Sequence, residues 1–346
     1  MRTITTLAAT LACCAGSAAS AQTLVVLNKA EASVTLLNPL TGEADATIPV
    51  GAGPHEAATS PDGRTVVVCN YGVRGAPGNT LSVIDLPRRE VVRTIDLGEH
   101  TRPHGILYMR DGRRVAVTTE GSRRLCIVNV ETGAIEQAID TDQAVSHMVA
   151  LSSDESRAFV ANIGGDSVSV LDLENARLER VIETGDEAEG VFTHPSRPEV
   201  WVTNRAANTI SILDARSLEL LATLECGRVP IRVAITPDGA HALVSNADSG
   251  DVAVFDTGTR REIARISMQA TAVDQQERDR RLFGDQFGDS PVPVGILIQP
   301  DGLRAYVANT NADVVTVLDL ADWSIETRLV AGQEPDGMAW SPLPRR

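Results

Sequence analysis

Aromatic residues make up only 3% of this 346-residue chain, and Lys29 is its one lysine. So few rings leave no platform on which successive bases of a single strand could stack. The formal net charge of −15, from 31 Lys+Arg against 46 Asp+Glu, removes the basic patch that nucleic acid or an anionic membrane surface requires. With every other basic residue an arginine, the lone lysine is read as a trait of composition, with no role attached. Hydrophobic runs are too short for a transmembrane segment. No G-x-S-x-G elbow, P-loop, H-E-x-x-H or C-x-x-C-H sequence occurs, so those nucleophilic, phosphate-binding, zinc-protease and haem-attachment chemistries have no local signature.

Residues 1–21 have Arg2, an apolar and small stretch from Ile4 to Ala15, and Ala19-Ser20-Ala21 before Gln22. This is the pattern of a secretory leader, with cleavage expected after Ala21 and a periplasmic or secreted destination. Leu11-Ala12-Cys13-Cys14 is a loose lipobox, poorly matched at Cys13. The leader takes two of the five cysteines, so Cys69, Cys126 and Cys226 permit at most one bridge. Cys69 and Cys126 lie in apolar runs and read as small buried hydrophobes.

What the remaining residues do contain is a repeat. Phe159-Val160-Ala161-Asn162 with Val168-Ser169-Val170-Leu171-Asp172 returns as Trp201-Val202-Thr203-Asn204 with Ile210-Ser211-Ile212-Leu213-Asp214, and as Tyr306-Val307-Ala308-Asn309 with Val315-Thr316-Val317-Leu318-Asp319. Weaker copies around Asn28, Asn70, Thr119 and Asn246 bring the number to seven. Turns such as Ser60-Pro61-Asp62-Gly63 and Thr236-Pro237-Asp238-Gly239 precede the phrase. Pro presets φ, Asp caps the turn and Gly supplies positive φ. Four short β-branched runs per copy, without helical periodicity, describe a four-stranded antiparallel blade. Successive repeats start at His55, His104, His147, Glu189, Ile231, Val294 and Asp336, at intervals of 49, 43, 42, 42, 63 and 42 residues, a spacing suited to propeller blades. The chain begins at the second strand of a blade and ends on a first strand. The expectation is therefore an all-β, seven-bladed β-propeller over residues 22–346, its ring closed by one C-terminal strand pairing with three N-terminal strands.

The V-x-N and S-V-x-D phrases resemble the YVTN-type repeat of the YncE-like propellers, exported bacterial proteins, and the resemblance spans nearly all of residues 22–346. It implies the propeller fold. For function it implies a range, because relatives with this blade include binding proteins, lactone hydrolases and cofactor-associated proteins.

The two long intervals place insertions at about 71–78 and 270–290, both on the face that carries the blade starts. The second mixes Asp274, Glu277, Asp279, Asp285 and Asp289 with Arg278, Arg280, Arg281, Leu282, Phe283 and Phe287, the composition of a short amphipathic lid. Of six histidines, three (His55, His104, His147) share the blade-start register, followed there by Glu189. First strands line the channel of a propeller, so these side chains should form an arc at its upper mouth. Three readings are open. Three imidazoles with a carboxylate suit Zn, Cu, Fe or Mn with an open position. The same histidines with Glu56, Glu189, Arg232 and Asp336 suit a small polar or anionic ligand. Shared ancestry, with His retained as a turn-packing residue after Pro54 and Pro103, requires no ligand. His100, His194 and His241 lie outside the register and read as structural.

The leading expectation is a monomeric, non-enzymatic exported protein that engages a small molecule or a periplasmic protein at this mouth. A metal-assisted hydrolase or lyase, with His55, His104 and His147 on the ion and Glu56 or Glu189 as base, is the first alternative. An accessory role in periplasmic cofactor maturation or electron transfer is the second.

Overall fold

The computed structural model describes residues 22–268 and 280–343. The expected leader and the first part of the second insertion, residues 270–279, lie outside them. Seven four-stranded antiparallel sheets follow one another around a ring. The C-terminal strand Pro335–Ser341 pairs with Thr23–Asn28, which continues to Ser33–Leu37 and Ala44–Pro49. Closure by the two chain ends is thus as the repeat arithmetic required, and Leu24 faces Trp340 across the seam.

The inner strands are Pro54–Thr59, Pro103–Tyr108, Ser146–Leu151, Ala188–Thr193, Pro230–Ile235, Pro293–Ile298 and Pro335–Ser341. Each touches the next, in a closed circle about the axis. The second and third strands of each blade are buried on both faces, which explains their continuous apolar runs. In Glu199–Asn204, for example, Val200 and Val202 pack toward the preceding blade while Trp201 between them packs with Val233, Val244 and Phe255 of the next. Period-2 alternation thereby supplies two inter-blade cores from one strand. The outermost strands, such as Leu220–Glu225, are largely solvated.

The repeated phrase has a hydrogen-bonding basis. The Asn of V-x-N is buried, and its Nδ2 donates to hydroxyls of the next strand: Asn204 to Thr209 and Ser211, each at 3.0 Å, and Asn70 to Thr80 and Ser82, each at 3.0 Å. The Ser of S-V-x-D is therefore the partner of that Asn. The Asp caps the following hairpin, as where Asp214 Oδ1 accepts from the amides of Arg216 and Ser217, both at 2.8 Å. Cys69, Cys126 and Cys226 are all free thiols.

The first insertion, expected as a loop, is an extension of a hairpin. Strands Thr65–Val73 and Ala76–Asp85 keep pairing to Val73↔Ala76, around a two-residue Arg74-Gly75 turn with Gly75 at φ 81°. In the second insertion, the rings of Phe283 and Phe287 lie 5.5 Å apart against Ile231, Ala247, Val292 and Val294, and the buried Arg281 pairs with Asp313.

Candidate functional site

Each inner strand is entered through a residue with φ between 54° and 59°: Gly53, Arg102, Val145, Glu187, Val229, Val292 and Glu334. Three of these are valines, for which that left-handed conformation is costly. The compensation is a repeated backbone bond, since the carbonyl at this position accepts the amide of the residue that follows the V-x-N phrase of its own blade. Examples are Gly53 with Tyr71 at 3.1 Å, Arg102 with Glu120 at 3.1 Å, Glu187 with Arg205 at 3.0 Å and Glu334 with Lys29 at 3.1 Å.

Immediately after this entry the ladder skips. Register shifts fall between Pro54 and Ala57, Pro103 and Ile106, Ser146 and Val149, Ala188 and Val191, and at the equivalent place in the other blades. His55, His104, His147, Glu189 and Asp336 all sit in such bulges, which re-aim side chains away from the sheet face. The residue after the blade start is glycine in four of the seven blades: Gly105, Gly190, Gly295 and Gly337. At Gly337 an added Cβ would stand 2.3 Å from the carbonyl oxygen of His55, so the strands could not approach as they do. Glu56 and Arg232 occupy this second bulge position and meet across the ring, with Arg232 Nη2 donating to Glu56 Oε1 at 2.8 Å and Nε to the same oxygen at 3.1 Å.

The result is a buried cluster. The three imidazoles lie in contact at tilted angles, with centroid separations of 4.0 Å and 54° between planes from His55 to His104, and 3.6 Å and 36° from His104 to His147. His104 is fully buried and neither ring nitrogen has a hydrogen-bond partner. Burial, reinforced by His147 and His55, holds its pKa well below the ordinary histidine value. For His147, burial acts in the same direction but is outweighed by Glu189 and Glu120, so its pKa is raised. His147 Nδ1 lies 2.6 Å from Glu120 Oε1, while Nε2 lies 3.2 Å from Glu189 Oε1, off the line of a hydrogen bond. The Tyr71 hydroxyl donates to Glu120 Oε2 at 2.5 Å and its ring meets His55 and His104 edge-on. Burial opposes ionisation of Glu189, yet His147, Arg205 and Arg232 prevail and draw its pKa down to about 2.

One ligand atom from each of His104, Glu120 and His147 lies within 4.8 Å of the others, and the same holds for His55, Glu56 and Asp336. The blade-start register therefore divides into two neighbouring groups, with Glu189 bridging His147 to Arg232 and Arg205. Lys29, Tyr71, Glu120 and Arg205 were not singled out from sequence. They share a second register, one residue beyond the V-x-N phrase, and the fixed-position comparison that drew out the histidines would have found them there. His194 is bound into its turn, with Nε2 2.9 Å from the Gly239 carbonyl and Nδ1 accepting from the amides of Ser196 and Arg197. His241 lies edge-on to Trp323, and His100 Nδ1 is 3.2 Å from Ser122 Oγ.

Residues 113–274 match the family model described as YNCE-like beta-propeller. This central stretch, 162 of the chain's 346 residues, is similar to the YNCE-like propellers. Solved structures of similar fold include the hydrazine synthase of Kuenenia stuttgartiensis, with TM-score 0.69 and 22% identity over 86% of this chain and 92% of that one. The periplasmic gluconolactonase of Pseudomonas aeruginosa superposes with TM-score 0.73 and 17% identity, over 93% and 99%. At these identities the likeness is one of fold. No curated protein matches the sequence.

Farther along the inner strands of the propeller, toward the Asp-Gly turns, lies a cavity of about 590 Å³. Its walls include Leu107, Met148, Phe192, Val233, Leu297 and Met338, and Glu56 and Arg232 line it as well. Their ion pair thus stands between an apolar chamber and the histidine cluster.

Proposed function

We propose that the protein is an exported binding propeller that holds one transition-metal ion through His104, Glu120 and His147. The observation that carries this reading is His104. A neutral imidazole has one donor and one acceptor nitrogen, and burying both unsatisfied costs on the order of 1–3 kcal/mol per group. An ion coordinated by one of these nitrogens would recover that nitrogen's share of the cost. Two imidazoles and a carboxylate suit Zn²⁺, Cu²⁺ or Fe²⁺, and the Tyr71 bond to Glu120 is the outer support that orients a ligating carboxylate. The secretory pattern of residues 1–21 supports export.

Binding is favoured over hydrolysis by the condition of the two carboxylates that would act as base. Glu56 Oε1 is taken up by Arg232. Glu189 is engaged by His147, Arg205 and Arg232, with a pKa near 2, far from the operating range of an efficient general base. Metal analysis of untagged protein prepared without chelator tests the proposal. One ion per chain, lost in His104→Ala, is the expected result; no bound ion after dialysis against Zn²⁺, Cu²⁺, Fe²⁺ or Mn²⁺ would overturn it.

A further inference from the structure

The chain's single lysine stands inside the second ligand group. Lys29 Nζ lies 2.7 Å from His55 Nε2 and 3.3 Å from Asp336 Oδ2. Asp336 is 1% exposed, and its other oxygen, Oδ1, is buried without a hydrogen-bond partner. His55 Nδ1 lies 2.8 Å from Asp336 Oδ2 but off the line of a hydrogen bond. On Glu56, Arg232 engages Oε1 alone. His55, Glu56 and Asp336 are thus preassembled by adjacent bulges with donor capacity to spare, and an ammonium group sits where an imidazole nitrogen and a carboxylate oxygen converge.

Lys29 does not reach this place by chance of rotamer. It opens a single 3-10 turn, Lys29–Glu31, whose chain is reversed by Ala32 at φ 49°. Its amide is tied to the Glu334 carbonyl, two residues before Asp336. The ammonium is a compact point charge with three donors and no acceptor. It satisfies in part the groups that a divalent ion would satisfy, and it repels such an ion at the same place.

We propose that Lys29 is a tethered cation occupying a latent metal site formed by His55, Glu56 and Asp336, and that it keeps this site free of metal. The inference deepens the metal-binding reading of the neighbouring His104 group, and it fixes the centre as a one-ion site. An imidazole and two carboxylates suit Zn²⁺ or Mn²⁺. A second ion beside the first would create the paired arrangement that clamps both oxygens of an in-line displacement; Lys29 excludes that chemistry while leaving a single ion to hold a ligand.

The test is the number of Zn²⁺ ions retained per chain after equilibrium dialysis, measured by elemental analysis on wild type, Lys29→Met and Lys29→Arg. Lys29→Met should retain one ion more than wild type, Lys29→Arg the same number as wild type, and Lys29→Met with Asp336→Asn should lose the extra ion. Equal counts in wild type and Lys29→Met, with matching circular dichroism and melting, would overturn the proposal, as would an extra ion in Lys29→Arg. If Lys29→Met does not fold, Lys29→Gln removes the same charge with a shorter side chain, and the same gain of one ion is expected. The wild-type count alone tests the His104 group; the difference between wild type and variant tests Lys29, so either can fail separately.

Discussion

Replacing His104 by leucine separates a ligand from a packing residue, because the two roles predict opposite changes in stability. Leucine is close to histidine in volume, and the site is fully enclosed between two rings at 4.0 and 3.6 Å. The substitution removes two buried nitrogens that have no partner, a gain of roughly 1–3 kcal/mol for each group that was truly unsatisfied. Exchanging a flat ring for a branched chain between two planar neighbours returns about 1–2 kcal/mol of strain. The metal-free His104→Leu protein should therefore be at least as stable as metal-free wild type in urea unfolding, by a net of about 0–5 kcal/mol, and it should retain no metal. With saturating metal the order should reverse, because only wild type gains the free energy of binding. A metal-free variant destabilised by more than about 1 kcal/mol would refute the reasoning, since it would mean that His104 is held by packing rather than left waiting for a ligand.

Further outcomes follow from the same geometry. Glu120→Gln removes the carboxylate of the ligand group and should weaken metal binding roughly 100-fold or more, whereas Tyr71→Phe, which removes only the bond orienting Glu120, should weaken it about 10-fold; competition against a chromogenic chelator reads both. Burial lowers the pKa of His104, and of His55, below the ordinary value of 6.5, so the unfolded chain takes up protons that the fold refuses. Stability of the metal-free protein should accordingly fall as pH drops below 6.5, by up to about 1.4 kcal/mol per pH unit for each such group. His147, with a raised pKa, acts in the opposite sense above 6.5. Melting curves between pH 4 and 8 should show a shallower acid limb for His104→Leu, and an unchanged limb would contradict the burial argument. Asn204→Ala strands the hydroxyls of Thr209 and Ser211 and should cost about 2–4 kcal/mol in unfolding experiments. Deleting residues 335–346 leaves Thr23–Asn28 as an unpaired edge, and light scattering should show association of the truncated chain where the full chain stays dispersed.

The fold was legible in the sequence because its determinants are local and repeated. Alternation within each run, Pro-Asp-Gly turns, and an Asn that bonds the Ser of the following strand recur copy after copy, and counting strands at the two ends sufficed to close the ring. The blade-start histidines were legible for the same reason, since a shared register places residues at equivalent angles around one axis.

The rest depended on tertiary structure. Register places His55, His104 and His147 on one circle but does not give the bulge that turns them inward, the ring separations, or the burial that leaves His104 without partners. Nor does it show that the carboxylates divide the set into two groups, because Glu120 and Asp336 stand 216 residues apart in the chain and belong to different blades. Lys29 is the clearest case. As one lysine in an acidic composition it carried no signal, because its significance lies in an amine standing between His55 and Asp336, a contact that exists only once the two ends of the chain have closed the ring.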